Sequence, residues 1–111
     1  MDLKVYAAKQ DRELTADCGD GDSFTFTYNN TKFTKRFISD LLTKFGKDGL
    51  DDALVTVDSA SALVVQLVTD WDLKSGTRKV PITDEALEDI PFGIIQAVAV
   101  AITEDQNPGK D

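Results

Sequence analysis

Apolar and polar positions alternate near the start of the chain and recur at helical spacing through most of the rest. Leu3, Val5 and Ala7 alternate with Lys4, Tyr6 and Ala8, which predicts a half-buried strand over Leu3–Ala8. Leu14–Cys18 gives a weaker second run. Phe24-Thr25-Phe26-Thr27-Tyr28 is the clearest strand signal, with aromatics on one face and Thr on the other, all of high β preference. Gly19-Asp20-Gly21-Asp22 lies between the last two runs and has hairpin-turn chemistry, because Gly reaches positive φ without a steric cost. These signals predict a small antiparallel meander of about three strands.

From Thr34 onward the period changes. Thr34 is a good N-cap for a helix running to Phe45, with Gly46 as its stop. Phe37, Ile38, Leu41, Leu42 and Phe45 fill one face of that helix, and Lys35, Arg36, Ser39, Asp40 and Lys44 cover the other. Leu50, Ala53, Leu54, Val57, Val64, Leu67, Val68 and Trp71 also share one helical face. Asp58-Ser59-Ala60-Ser61 interrupts them with capping chemistry, so two successive helices are expected there, closed by Trp71-Asp72-Leu73. Lys74–Lys79 reads as a polar turn leading into extended Val80-Pro81-Ile82. Thr83 caps a short helix with Asp84 and Glu85 in its first turn, and Pro91 opens a last helix on which Ile94, Ile95, Val98 and Ile102 share a face. The expectation is an α+β fold. A small N-terminal antiparallel β meander precedes a four- to five-helix C-terminal portion, forming one domain over 1–103 with a flexible polar tail over 104–111.

Composition narrows the function more than the fold. A chain of 111 residues with no His and one Cys cannot build, within one copy, a disulfide framework, a Cys/His zinc site, a Ser-His triad or a Cys-His pair. No enzyme, cofactor or metal site is therefore expected. The net charge of −8 is unevenly placed: −3 over residues 1–30, +3 over 31–50 and −8 over 51–111. Acidic ends repel nucleic acid and anionic membrane, while the basic middle offers one polarised contact surface. The N-terminus lacks a basic-then-apolar leader, and the apolar run Ile94–Ile102 is far short of the roughly 20 residues that span a bilayer. A soluble protein of the cytoplasm is expected.

Other motifs dissolve on inspection. Asp17, Asp20 and Asp22 lack the spacing and the closing Glu of a calcium loop. Gly46-Lys47-Asp48-Gly49 has the form of an RNA-clamping loop, but Asp48, Asp51 and Asp52 would repel phosphate. Lys32, Lys35 and Arg36 form a small basic patch with Phe33 and Phe37 interleaved, suited to an acidic partner. On the last helix Phe92 and Val100 project toward the polar strip of Gln96 and Thr103, followed by Glu104.

The order of features in the second half is distinctive. Thr69-Asp70-Trp71-Asp72-Leu73 closes an apolar helix; a Gly turn, Val80-Pro81-Ile82-Thr83-Asp84-Glu85-Ala86-Leu87 and Ile90-Pro91-Phe92-Gly93-Ile94-Ile95 follow, with a closing Ala101-Ile102. With Tyr28-Asn29-Asn30-Thr31-Lys32-Phe33-Thr34 after a β segment, this resembles the tail assembly chaperones of long-tailed phages that infect actinobacteria. The resemblance implies a non-enzymatic protein of the host cytoplasm that binds the tape measure protein and keeps it soluble until tail-tube subunits polymerise around it. The tail tube protein and a second copy of the chain are further candidate partners; nucleic acid and membrane are not. It also implies a longer form made by a −1 frameshift, for which the codons of Pro108-Gly109-Lys110 would have to hold a slippery run. The candidate contact residues are Lys32, Lys35, Arg36, Phe92, Val100 and Glu104. Two rivals stand beside it: a head–tail joining or tail-terminator subunit that forms a ring, and an acidic DNA mimic that blocks a host protein. The +3 segment weakens the latter.

Overall fold

The computed structural model describes residues 1–45 and 57–106. The runs expected as strands over Leu14–Cys18 and Phe24–Tyr28 do pair: β1 (Asp11–Gly19) runs antiparallel to β2 (Asp22–Asn29), with Leu14 opposite Phe26 and Ala16 opposite Phe24. Asp20 and Gly21 join them, both at positive φ (55° and 82°), which is the turn that matches the right-handed twist of a two-residue hairpin. The chain then makes a 3₁₀ turn at Asn30–Lys32 and enters helix α2 (Lys35–Phe45). As expected, Thr34 caps that helix, its Oγ1 accepting from Phe37 N at 3.2 Å.

The three-stranded antiparallel sheet is present, but its third strand comes from elsewhere in the sequence. Leu3–Ala8 is not a strand; it forms a six-residue helix, α1. Asp2 explains why, since its side chain accepts from Lys4 N at 2.8 Å and its carbonyl from Tyr6 N at 2.9 Å, closing the first turn. Over six residues the alternating and helical templates match the same apolar positions, and the cap decides between them.

The third strand is β3 (Val68–Trp71), on the free side of β2, which the sequence pattern assigned to a helix. Helix α3 (Val57–Leu67) runs directly into it. Phe26 pairs with Trp71, Thr27 with Asp70 and Tyr28 with Val68, so Thr69 is an extra, bulged residue. The bulge turns Val68 and Trp71 to the same face although they are three residues apart, giving a buried–exposed–exposed–buried strand. That spacing continues the helical run of Val64 and Leu67, so periodicity alone extends the helix too far. The expected second helix over the residues before Val57, the Gly46 stop and the Gly46–Gly49 loop lie outside the described residues.

Beyond β3, Lys74–Ser75 (β4) and Arg78–Lys79 (β5) form a small hairpin where a polar turn was expected. Thr83 caps the short α4 (Asp84–Leu87), its Oγ1 accepting from Ala86 N at 3.1 Å. Pro91 precedes α5 (Phe92–Gln106), whose buried Ile95, Val98, Ala99 and Ile102 follow an i, i+3, i+4, i+7 stripe. The architecture is thus α+β: helices α3 and α5 pack on each other, and α5 also lies along β1, covering one face of the sheet. Phe26, Tyr28, Leu63, Val64, Leu67 and Trp71 form the centre of the core. Phe24 meets Trp71 edge to face, with ring centroids 6.2 Å apart.

Helix α5 extends further than expected. Glu104–Gln106 is its last turn rather than the start of a tail, because Asp105 is fastened to the sheet. Residues 107–111 lie outside the described part.

Candidate functional site

The last turn of α5 is held by a polar cluster that no local pattern announces. Arg12 on β1 reaches Asp105 with both Nε (2.6 Å) and Nη2 (2.8 Å), a two-point guanidinium–carboxylate contact. The Tyr28 hydroxyl donates to the same carboxylate and accepts from Gln106 Nε2 at 2.8 Å. The Arg12 guanidinium holds the Asp105 carboxyl below its ordinary range, against the opposing effect of burial. Burial, with Asp105 next to it, pushes the Tyr28 phenol from the usual value of about 10 up to about 12.

The two shifts act at opposite ends of the pH scale. The raised phenol favours neutral Tyr28 in the fold, so its contribution is intact below pH 10 and lost as pH rises through about 12. The lowered Asp105 contributes above the ordinary carboxylate range and loses its effect as pH falls through its depressed value. Wild type is therefore expected to lose stability between about pH 10 and 12 by an amount that Tyr28→Phe does not show. Denaturant midpoints measured across that window check it, and equal losses in both proteins would refute the coupling.

Beside this cluster lies an open groove of about 620 Å³, inside the roughly 300–1,000 Å³ range of binding clefts. One side is apolar: Leu3 and Tyr6 from α1, Phe33, Ile38 from α2, Leu63 from α3 and Ile102 from α5. Asn30, Thr31, Thr103 and Gln106 supply polar groups, and no charged side chain is among the described lining residues. Phe33 and Phe37 stack edge to face, with centroids 5.7 Å apart, and fix the entry to α2. The side chain of Asn29 ties α1 to the body, donating to Ala7 O at 2.8 Å and Asp11 Oδ1 at 2.9 Å.

The groove matters because of what surrounds it. The large apolar side chains left exposed among the described residues are Met1, Leu3 (70%), Val5 (52%), Tyr6 (42%) and Leu42 (41%). All but Leu42 belong to the first six residues, and Leu42 lies one turn beyond Ile38 on α2. Helix α1 buries no residue at all. Scattered surface leucines need no explanation, but a cluster around a cleft does.

The six candidate contact residues fall in three places. Lys32 sits in the chain between Thr31 and Phe33 of the groove wall; Lys35 lies one turn before Ile38 and about 60° round from it, at the border of the apolar face. Arg36 is 100° further round α2, away from that face. All three are exposed, and none forms an ion pair with a described residue. Val100 and Glu104 instead flank a depression of about 330 Å³ beside Thr15, Asp17 and Cys18. Phe92 packs against the core and lines a hollow of about 470 Å³ with Ser61, Leu87 and Ile95. Lys32 and Lys35 thus neighbour groove-lining residues in the chain without being among them, and Phe92, Val100 and Glu104 lie elsewhere. Leu3 and Tyr6 were missed as site residues because their alternation read as a half-buried strand; their membership follows only from the α1 fold.

Among the described residues no group of three or more His, Cys, Asp or Glu is arranged to hold a metal ion. Burial raises the Cys18 thiol, and Asp17 and Asp22 raise it further, which lowers its thiolate fraction. No described helix is long and apolar enough to cross a membrane. The chain matches no protein-family model, no curated protein and no solved structure.

Proposed function

We propose that this chain is a small protein-binding assembly factor of the tail assembly chaperone type, which covers apolar helical segments of a tape measure protein until tail-tube subunits replace it. The observation that supports it is the gathering of exposed Leu3, Tyr6 and Leu42 around an apolar groove on an otherwise charged domain. Covering such side chains is worth roughly 1.5–3 kcal/mol each before ordering costs. That is enough to hold a partner helix and still release it. The charged exterior keeps the pair dispersed, as a chaperone of a long apolar protein requires.

Co-expression with a tape measure protein from the same genome, the partner this reading requires, is expected to move that protein into the soluble fraction and to co-purify the two. Lys35→Glu is expected to reduce the recovered complex several-fold, and Val100→Asp tests whether the β1 side of α5 also takes part. A tape measure protein equally insoluble with and without the chain would refute the reading. The nucleotides encoding Pro108-Gly109-Lys110 bear on it independently, since a slippery run with an open −1 frame is what this class of protein would need.

A ring-forming subunit is the second reading, favoured by β1, a nine-residue strand at the edge of its sheet. Its edge carries Asp11, Arg12, Glu13 and Asp17, charges that oppose strand addition. A discrete multi-subunit mass for the purified protein would decide for the ring.

A further inference from the structure

We propose that the groove between α1, α2 and the end of α5 receives one amphipathic helix of a protein partner, and that this helix carries acidic residues along the flank of its apolar stripe. The inference rests on the protein-binding reading above and goes further by assigning the face used and the charge of what it takes.

Three observations carry it. The first is shape: Leu3 and Tyr6 of α1, Phe33 just before α2 and Ile38 of α2 form an apolar side of an open cleft, the arrangement that accepts side chains at i, i+3, i+4 and i+7 of a helix. The second is charge. Residues 31–50 are the one net basic stretch in a chain of net charge −8, and within it exposed Lys32 lies between groove-lining Thr31 and Phe33 in the chain while exposed Lys35 lies one turn before Ile38 on α2. Neither lysine forms an ion pair with a described residue. The third is that the described lining residues include no acid, and Asp105, next to Gln106 in the chain, is committed to Arg12 and Tyr28.

The direction of the preference follows from these. An acidic flank meets Lys32 and Lys35, while a basic flank meets them in repulsion and finds no acid among the described lining residues. A second copy of this chain is disfavoured as occupant, because its own exposed apolar helix, α1, carries Lys4 and no acid. Exposed charge pairs of this kind are each worth up to about 1 kcal/mol, so discrimination arises from the pair acting together and weakens with salt.

The test uses the untagged full chain and two labelled model helices of about 16 residues, long enough to be partly helical. Both have the same Leu stripe; one is flanked by Glu, the other by Lys. Fluorescence anisotropy is expected to show the Glu-flanked peptide binding about tenfold more tightly. The double variant Lys32→Glu/Lys35→Glu, altered only at exposed positions, is expected to remove or invert that preference. Leu3→Ser is expected to weaken both peptides, and Arg78→Glu on the β4–β5 hairpin neither. Amide shifts should map to α1, Phe33 and the end of α5. Equal binding of the two peptides would overturn the charge assignment. Binding of neither peptide by a chain that still solubilises the tape measure protein would overturn the groove assignment and leave the chaperone reading standing. A concentration-dependent dimer that Leu3→Ser dissociates would make a second copy the occupant and overturn the proposal.

Discussion

Trp71→Ala is expected to cost the fold about 3–5 kcal/mol, the range for removing a large aromatic from a packed interior. Trp71 is 2% exposed, ends β3 opposite Phe26 and meets Phe24 edge to face. Its indole Nε1 also donates to Val80 O at 2.6 Å, fastening the segment after the β4–β5 hairpin to the sheet. Truncation removes all three connections. Since domains of this size are stable by only about 5–15 kcal/mol, much of the margin disappears. Urea unfolding followed by circular dichroism measures it, because the variant has no indole left to follow. Trp71→Phe keeps most of the buried area and loses the Nε1 hydrogen bond, so it should cost clearly less. A loss below about 1 kcal/mol for Trp71→Ala would contradict the placement of this side chain in the core.

Val98→Asp is expected to be of similar or larger effect, roughly 3–5 kcal/mol for an uncompensated buried charge. Val98 is fully buried at the middle of α5, between Ile95 and Ile102 of the helix stripe. A carboxylate there has neither solvent nor a cation within the core. Val100→Asp, two residues on, is expected to fold normally: Val100 is only half-buried, beside the β1 depression. Thermal melts of the two variants separate a core position from a surface position on one helix. If both unfold alike, α5 is rotated from the orientation described.

How much could be read without coordinates differs from element to element. β1, β2, α2, α4 and α5 were legible because each has a local signature: Thr/aromatic alternation for β2, Thr34 and Thr83 caps, and a clean i, i+3, i+4, i+7 stripe on α5. β3 was not, because the bulge at Thr69 gives a strand the burial spacing of a helix. α1 was not, because a six-residue segment satisfies both periods and only the Asp2 cap discriminates. The polar cluster joining Arg12 to Asp105 spans 93 positions in the chain, beyond the reach of any local rule. It also explains why an acidic stretch that reads as tail continues a helix. Of the six candidate contact residues, charge pattern singled out Lys32, Lys35 and Arg36; the fold sets the first two beside groove-lining residues and turns Arg36 away. The groove itself was invisible, being assembled from α1, the 3₁₀ turn, α2, α3 and α5.

The bulge in β3 carries a further consequence, for how the sequence tolerates change. Because Thr69 is the unpaired residue, removing it would leave Val68 opposite Tyr28, Asp70 opposite Thr27 and Trp71 opposite Phe26, with strict alternation and both apolar side chains still turned inward. A one-residue deletion there is register-neutral, whereas the same deletion in the regularly paired stretch Asp11–Asp17 of β1 would shift its pairing with β2 and turn side chains to the wrong face. The strand is in effect phase-adjustable. Helix α3 and the sheet can change length relative to each other by one residue at this joint while the core keeps its contacts.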